Sequence, residues 1–388
     1  MVVSEIVYRE NDSSIEISVR VNEKNKMKKL FFCSDKSNKD IFRNDMSDPF
    51  LVGLLIPAMY KNEDLEFTNP ISQRLLYGIR SYIMPELQKM NKELHNINIY
   101  APVIKCESEL EGQVATGISG GIDSFYTILS NMNHEKNYPI KALCLYNLFR
   151  LYCNDGEAKK YFDIEKKRKK QIADELKMRF ISVDTNLWEF YSGFRYIQVH
   201  AFYAMANVLC FQGYIKSYLY ASGYTLSEFE MTFSDTAHYE IFIQGFLRTE
   251  QFEMISAANN VDRIEKTKYI AKDPVAQRHL DVCNNKLLAI EKKLHNCSRC
   301  DKCIRTMLTL DVLGLIKEFK DDFDVEDYYK NKELYWIQYL YFSYRTKDIY
   351  MREILRLAKQ SGYEFPKHFY FKTLRFIVGL QIEKLKDQ

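Results

Sequence analysis

Apolar and polar residues alternate through the first 48 positions, in Ile6–Glu10 (IVYRE), Ile15–Val21 (IEISVRV) and Lys28–Cys33 (KKLFFC). A period of two predicts short antiparallel strands separated by polar turns. From Asp48 to Asn96 the period lengthens toward that of a helix. Pro57, Pro70 and Pro85 are expected to cut Phe50–Tyr60 and Ile71–Leu94 into two or three segments. Residues 1–111 thus read as an amino-terminal α+β unit.

Strands and helices then take turns. Apolar runs at Gln113–Ile118, Ile140–Tyr146, Phe180–Val183 and Ser217–Ala221 predict four strands. Between them, Phe125–Met132, Gly156–Met178 and Tyr196–Gln212 carry helical patterns. Such alternation implies an α/β domain with a parallel sheet and right-handed crossovers. Ligands on these sheets bind at the carboxyl ends of the strands. This domain is expected to span 112–310. A less regular stretch follows Gly223, and residues 311–388 read as a helical carboxyl-terminal extension rich in Tyr, Phe and Leu.

Between the first of these strands and its helix stands Ser119–Ser124 (SGGIDS). Gly120 and Gly121 admit backbone angles and close approaches that a side chain forbids. Their amides, with those of the first helical turn, form a concave set of donors for phosphate oxygens. Ser119 and Ser124 add hydroxyls, and Asp123 offers a carboxylate to magnesium. A plain helix start, with Ser119 as cap and Asp123 complementing the dipole, is the competing reading. No G-x-x-x-x-G-K-[ST] or G-x-G-x-x-G segment is present.

Nine cysteines are unevenly spread. Cys33, Cys106, Cys144, Cys153 and Cys210 are scattered, whereas Cys283, Cys297, Cys300 and Cys303 fall together as C-x13-C-x2-C-x2-C. Four thiolates at that spacing can close a tetrahedral site, for which zinc is favoured and an iron–sulfur cluster competes. Lys286, Lys292, Lys293, Arg299, Lys302 and Arg305 are expected to offset the charge of such a site.

SGGIDS resembles the loop of the ATP pyrophosphatase (PP-loop) superfamily, whose members adenylate a substrate oxygen and release pyrophosphate. With NCSRCDKC downstream, the chain looks like 7-cyano-7-deazaguanine synthases over roughly residues 112–310. Its layout, with LLIPAM early and NCSRCDKCIRTM late, looks closer to divergent bacterial relatives, some of which act in antiviral defence. The resemblance implies an adenine-nucleotide alpha-hydrolase fold. It assigns Ser119, Gly120, Gly121, Asp123 and Ser124 to ATP and Mg2+, and Cys283, Cys297, Cys300 and Cys303 to Zn2+. Tyr146, where relatives carry Tyr-Gly, and Gly223, at the rim after the fourth strand, join the nucleotide or substrate set. Lys266 stands where relatives place a lysine or polar helix start facing the nucleotide, and is expected to share the chemistry with Asp123 and Ser119. Tyr146-Asn147 departs from the Tyr-Gly pair, and the relatives' Pro-x-Arg-Asn segment has no match beyond nearby Gly193-Phe194-Arg195. The implied reaction joins a deazaguanine-like carboxylate, through its adenylate, to ammonia or to a partner protein's amino terminus. A sulfur-transfer enzyme acting on RNA or a nucleoside, and a non-catalytic nucleotide-binding subunit, are the alternatives.

Asp184, His200 and His238 are lesser candidates: a ribose or metal ligand or turn cap, a core or site histidine, and a site histidine, respectively. Composition changes little. Net charge is +3, from 55 basic and 52 acidic residues, which gives no general case for nucleic acid. The run Lys166–Lys170 (KKRKK) reads as a solvated helix face. The longest apolar stretch, Phe50–Tyr60, is shorter than the ~20 residues of a membrane helix. No export signal is seen, so a cytoplasmic location is expected, with a protein partner and a homodimer as further expectations.

Overall fold

The computed structural model describes residues 1–24, 26–104, 111–135, 138–345, 349–363, 365–369 and 371–372. Cys106 and the last part of the expected carboxyl-terminal extension lie outside them. The residues cluster into two compact units, Met1–Ser119 with Thr127–Asn260, and Gly120–Tyr126 with Val261 onward. The boundaries expected at 111 and 310 fall inside these units.

In the first unit the strands are β1 (Val2–Val3), β2 (Val7–Glu10), β3 (Ser14–Glu23), β4 (Lys26–Asp35), β5 (Leu65–Phe67), β6 (Ile71–Ser72), β7 (Ile99–Tyr100), β8 (Val103–Ile104), β9 (Gln113–Gly117), β10 (Ile140–Tyr146), β11 (Arg179–Thr185), β12 (Ile215–Ala221) and β13 (Glu253–Ala257). One sheet runs β13-β12-β9-β10-β11-β4-β3-β1-β5-β7, with β2 added on β3. From β13 to β11 every pairing is parallel. This is a Rossmann-like arrangement, in which the strand order reverses between β9 and β12. Its central strands bury consecutive residues on both faces, Ala142, Leu143 and Cys144 in β10, and Ser217, Tyr218 and Leu219 in β12, which explains their mainly apolar sequences.

The amino-terminal strands extend this same sheet. β4 pairs antiparallel with β11, placing Val183 opposite Ser34 and Thr185 opposite Phe32. β3 and β4 then form a ten-residue antiparallel ladder. Pairing β4 with β11 satisfies backbone groups that the parallel sheet would otherwise leave at an edge. Alternation along β3 buries Ile15, Ile17, Val19 and Val21.

Helices of this unit are α1 (Asp48–Lys61), α2 (Gln73–Gly78), α3 (Met84–Met90), α4 (Ile122–His134, begun in the second unit), α5 (Asp155–Glu175), α6 (Tyr196–Leu209) and α7 (Glu240–Phe246). Pro57 does not interrupt α1, contrary to expectation. An interior proline costs about 3 kcal/mol, but residues 48–59 are all buried. Each large apolar side chain among them contributes about 1.5–3 kcal/mol, so burial prevails. The basic run in α5 also departs from a solvated face. Lys169 is buried against Glu165, Lys166 meets Asp35 and Asp163, and Lys170 meets Asp174.

The irregular stretch after Gly223 contains a fifth parallel strand, β13, and several short helices. In the second unit these are α8 (Arg263–Ile270) and α9 (Pro274–His279), followed by α10 (Lys286–Glu291), α11 (Asp301–Val312), α12 (Val325–Arg345) and α13 (Ile349–Gln360). Among the described residues no helix is long and apolar enough to cross a membrane.

Candidate functional site

In the first unit, the carboxyl edge of the sheet at the β9/β12 reversal is where an open α/β sheet leaves a crevice. Gly117 ends β9 opposite Cys144 of β10, and the Ile118 amide donates to the Cys144 carbonyl at 2.9 Å. Thr116 Oγ1 donates to the Leu219 carbonyl at 2.6 Å, fixing β9 to β12. Gly117 has a steric reason to be glycine: a Cβ there would lie 2.7 Å from Tyr218 Oη.

Four residues, 118–121, separate β9 from α4. Gly120 takes φ +80°, a conformation that favours glycine. The Phe125 amide returns to the Gly121 carbonyl at 2.9 Å, closing the first helical turn, and Ser124 is buried within it. The loop expected from the sequence is therefore a strand-to-helix turn that opens a helix.

In the second unit, Asp123 meets two cations from α8. Its Oδ2 accepts from Arg263 Nη1 at 2.6 Å, and its Oδ1 from Lys266 Nζ at 3.4 Å. The side chain of Lys266 is only 1% exposed, and that of Asp123 21%. Burial pushes the Asp123 carboxyl up, but Arg263 and Lys266 outweigh it and hold the group below the usual carboxylate range. Asp262 caps α8 by accepting the Glu265 amide at 2.9 Å. That cap sets the first turn, so Arg263 and Lys266, three apart, share one face.

More positive charge stands nearby. Desolvation first, then Arg263 and Arg305, hold the Lys302 ammonium below its ordinary value, while Asp123 opposes them. The Arg305 guanidinium lies 4.1 Å from the centre of the Tyr350 ring and that of Arg263 5.8 Å. One carboxylate thus faces a group of cations from α8 and α11, a field suited to a polyanion. Of these, the sequence singled out Lys266 as a site residue. Lys302 and Arg305 figured only as counter-charges to the cysteines, and Arg263 was passed over.

The four cysteines converge as expected. Their Sγ atoms all lie within 4.8 Å of one another. Cys300 Sγ is 3.4 Å from Cys303 Sγ, and Cys297 Sγ is 3.8 Å from Cys303 Sγ. Zn–S bonds of about 2.3 Å in a tetrahedron put thiolates about 3.8 Å apart, so the set could hold a single metal ion such as zinc. The Cys297 amide donates to Cys283 Sγ and the Cys300 amide to Cys297 Sγ, both at 3.3 Å. Hydrogen bonding among the thiols drives Cys300 far below the ordinary thiol range and Cys303 far above it, as in a set that cannot ionise together without a cation. Of the basic residues expected to balance this charge, Lys292 reaches the Cys297 carbonyl at 3.4 Å. Lys286 instead pairs with Asp281, and Arg299 with Asp327.

The cysteine site and the turn at Gly120 share a support. The Asp281 amide donates to the Gly120 carbonyl at 2.7 Å, two residues before Cys283. Between them, the Val282 amide donates to Asn296 Oδ1 at 2.8 Å, and Asn296 Nδ2 donates to the Leu280 carbonyl at 2.7 Å. Gly120 is therefore tied to the segment that the cysteines fix.

The remaining candidates lie in the first unit. Tyr146 ends β10, where burial and then Tyr218 push its phenol well above the usual range. Asp184 is held by Arg150 Nε at 2.8 Å and Nη2 at 3.1 Å, and accepts from Asn147 Nδ2 at 2.8 Å. Asn147, the departure from Tyr-Gly, thus anchors Asp184. A Cβ on Gly223 would meet nothing within 4 Å, so packing does not demand glycine there. His238 stacks on Tyr224 at 4.5 Å, and its Nδ1 lies 3.0 Å from the Glu228 carbonyl. His200 contacts Tyr220 and Asp235.

No protein-family model matches the chain, and neither curated proteins nor solved structures give a significant match.

Proposed function

We propose that this chain binds MgATP at Ser119–Ser124 and adenylates a small carboxylate of the 7-carboxy-7-deazaguanine type, releasing pyrophosphate. The observation that carries the reading is the placement of Asp123 of the loop against Arg263 and Lys266. A helix start alone needs no arginine and buried lysine converging on its second residue. A triphosphate site does need cations beside its backbone donors.

In this reaction a carboxylate oxygen attacks the α-phosphorus, and pyrophosphate departs with the bonding pair. Loop amides, Arg263 and Lys266 stabilise the charge that grows on the leaving group. Asp123 holds these two cations in place before the substrate arrives. Its carboxylate is also the group of the loop that would bind magnesium, which supplies charge neutralisation between phosphate oxygens. The acyl-adenylate then passes to an amine, either ammonia or a partner protein's amino terminus. Zinc on Cys283, Cys297, Cys300 and Cys303 would brace the loop through Asp281 rather than take part in chemistry, because four thiolates leave no open position.

The test is pyrophosphate release from ATP with 7-carboxy-7-deazaguanine, with and without a candidate partner, together with mass spectrometry of that partner. Carboxylate-dependent release supports the reading. Binding of ATP with no release under either condition would leave a nucleotide-binding subunit instead.

A further inference from the structure

Within the second unit, the arginines beside Asp123 are gathered by a helix that lies far from the loop in sequence. Tyr350 stands in the first turn of α13, in the stretch that the sequence marks only as a helical extension. Its ring centre lies 4.1 Å from the Arg305 guanidinium of α11 and 5.8 Å from that of Arg263 on α8. Both fall within the roughly 6 Å over which the negative face of a ring attracts a cation. Arg263 is also the residue whose Nη1 meets Asp123 Oδ2 at 2.6 Å. One guanidinium is thus held from two sides, by a carboxylate and by a ring.

Burial does not account for this ring. The buried anchors of α13 are Ile354, Leu357 and Ala358, whereas Tyr350 is only half-buried. What distinguishes its place is that α8, α11 and α13 meet there. Arg263, Arg305 and Tyr350 line one crevice, and Glu353 of α13 brings a carboxylate to it. A second tie joins α13 to α8: Arg356 Nη2 lies 3.4 Å from Oδ2 of Asp262, the residue that caps α8. A ring steadies a guanidinium without neutralising it, so the charge remains for an incoming phosphate.

We propose that Tyr350 is a positioning residue of the nucleotide site, holding Arg263 and Arg305 ready for the pyrophosphate end of ATP. The carboxyl-terminal helices are then part of that site and no separate appendage. The role rests on the adenylation reading above. Tyr350 acts through the two arginines and touches no reacting atom. Because those cations stabilise pyrophosphate as it leaves, affinity for free pyrophosphate and kcat/KM for ATP should fall together when the ring is lost.

The experiment compares the full-length native chain with Tyr350→Phe, Tyr350→Leu and Ile354→Ala. Titration calorimetry with magnesium pyrophosphate reads affinity, carboxylate-dependent pyrophosphate release reads kcat/KM, and urea midpoints read stability. Phe keeps the aromatic face, Leu keeps bulk without it, and Ile354→Ala loosens the packing of α13 while leaving the ring. In Tyr350→Leu, pyrophosphate should bind about tenfold more weakly and kcat/KM should drop by a similar factor, with Tyr350→Phe within about twofold of native. Ile354→Ala should lower the urea midpoint yet bind pyrophosphate within about threefold of native. Unchanged affinity in Tyr350→Leu, or affinity that follows the urea midpoint through all three variants, overturns the positioning role while the adenylation reading stands. A native chain that neither binds pyrophosphate nor releases it from ATP overturns that reading, and the role of Tyr350 with it.

Discussion

Replacing Asp123 by Asn tests whether the loop carboxylate truly carries the charge balance of α8. The carboxylate lies 2.6 Å from Arg263 Nη1 and 3.4 Å from Lys266 Nζ, and Lys266 is almost wholly buried. Removing one partner of a fully buried pair costs about 3–5 kcal/mol. Asp123 is 21% exposed and Asn retains one acceptor oxygen, so a loss of about 1–3 kcal/mol at pH 7 is expected. The sign with pH follows from the depressed carboxyl. Its stabilisation is present above the unfolded value near about 4 and is lost as pH falls through the lower folded value. Urea midpoints measured from pH 7 down to pH 3 should therefore show native and variant chains converging in acid. A second variant, Lys266→Met, completes a double-mutant cycle in which the two losses overlap by about 1–2 kcal/mol. Strict additivity, or a gap that does not narrow between pH 7 and pH 3, would refute the pairing as the source. In the proposed reaction Asp123→Asn should also lower pyrophosphate release about 100-fold.

Three further outcomes are expected. Gly117→Ala should destabilise by about 1–3 kcal/mol, because the new methyl would lie 2.7 Å from Tyr218 Oη; Tyr218→Phe in the same chain should recover part of the loss in urea melts. Stripping metal from the cysteine site with a strong chelator should remove about one zinc per chain by elemental analysis. The same treatment should speed amide hydrogen exchange at Asp281, whose amide bonds the Gly120 carbonyl, and unchanged exchange there would break the proposed link. Buried Asp48 bonds the Ser72 amide and Gln212, yet burial pushes its carboxyl up to about 6. The stability it contributes is present below about pH 4 and falls as pH rises to about 6, so Asp48→Asn should flatten the decline in urea midpoint over that interval.

What the sequence made legible follows from how far apart the cooperating residues lie along the chain. SGGIDS and CSRCDKC are compact strings whose glycines and thiols have few competing uses, and each forms a local structure: a turn into a helix, a knuckle around sulfur. Strand β10 was nearly as plain, because burial on both faces leaves Lys141 as its one charged position. β13 was missed because an edge strand is half exposed, and EMISA shows only Met254 buried. The choice of β11 as partner for β4 is a contact across about 150 residues, and no periodicity encodes it. The cations opposite Asp123 are hidden for the same reason. On α8, DRIEKTKY reads as a solvated charged helix, and the lysine within it is buried only because an aspartate 143 residues away in the chain meets it. One local signal was available. Asp262 followed by Glu265 marks the helix start, and with that start fixed, Arg263 and Lys266 must share a face. Two cations on one face of a capped first turn oppose the helix dipole and need a reason. In this chain the reason is an anion that arrives from a distant part of the sequence, first as Asp123 and, in the proposed reaction, as a phosphate.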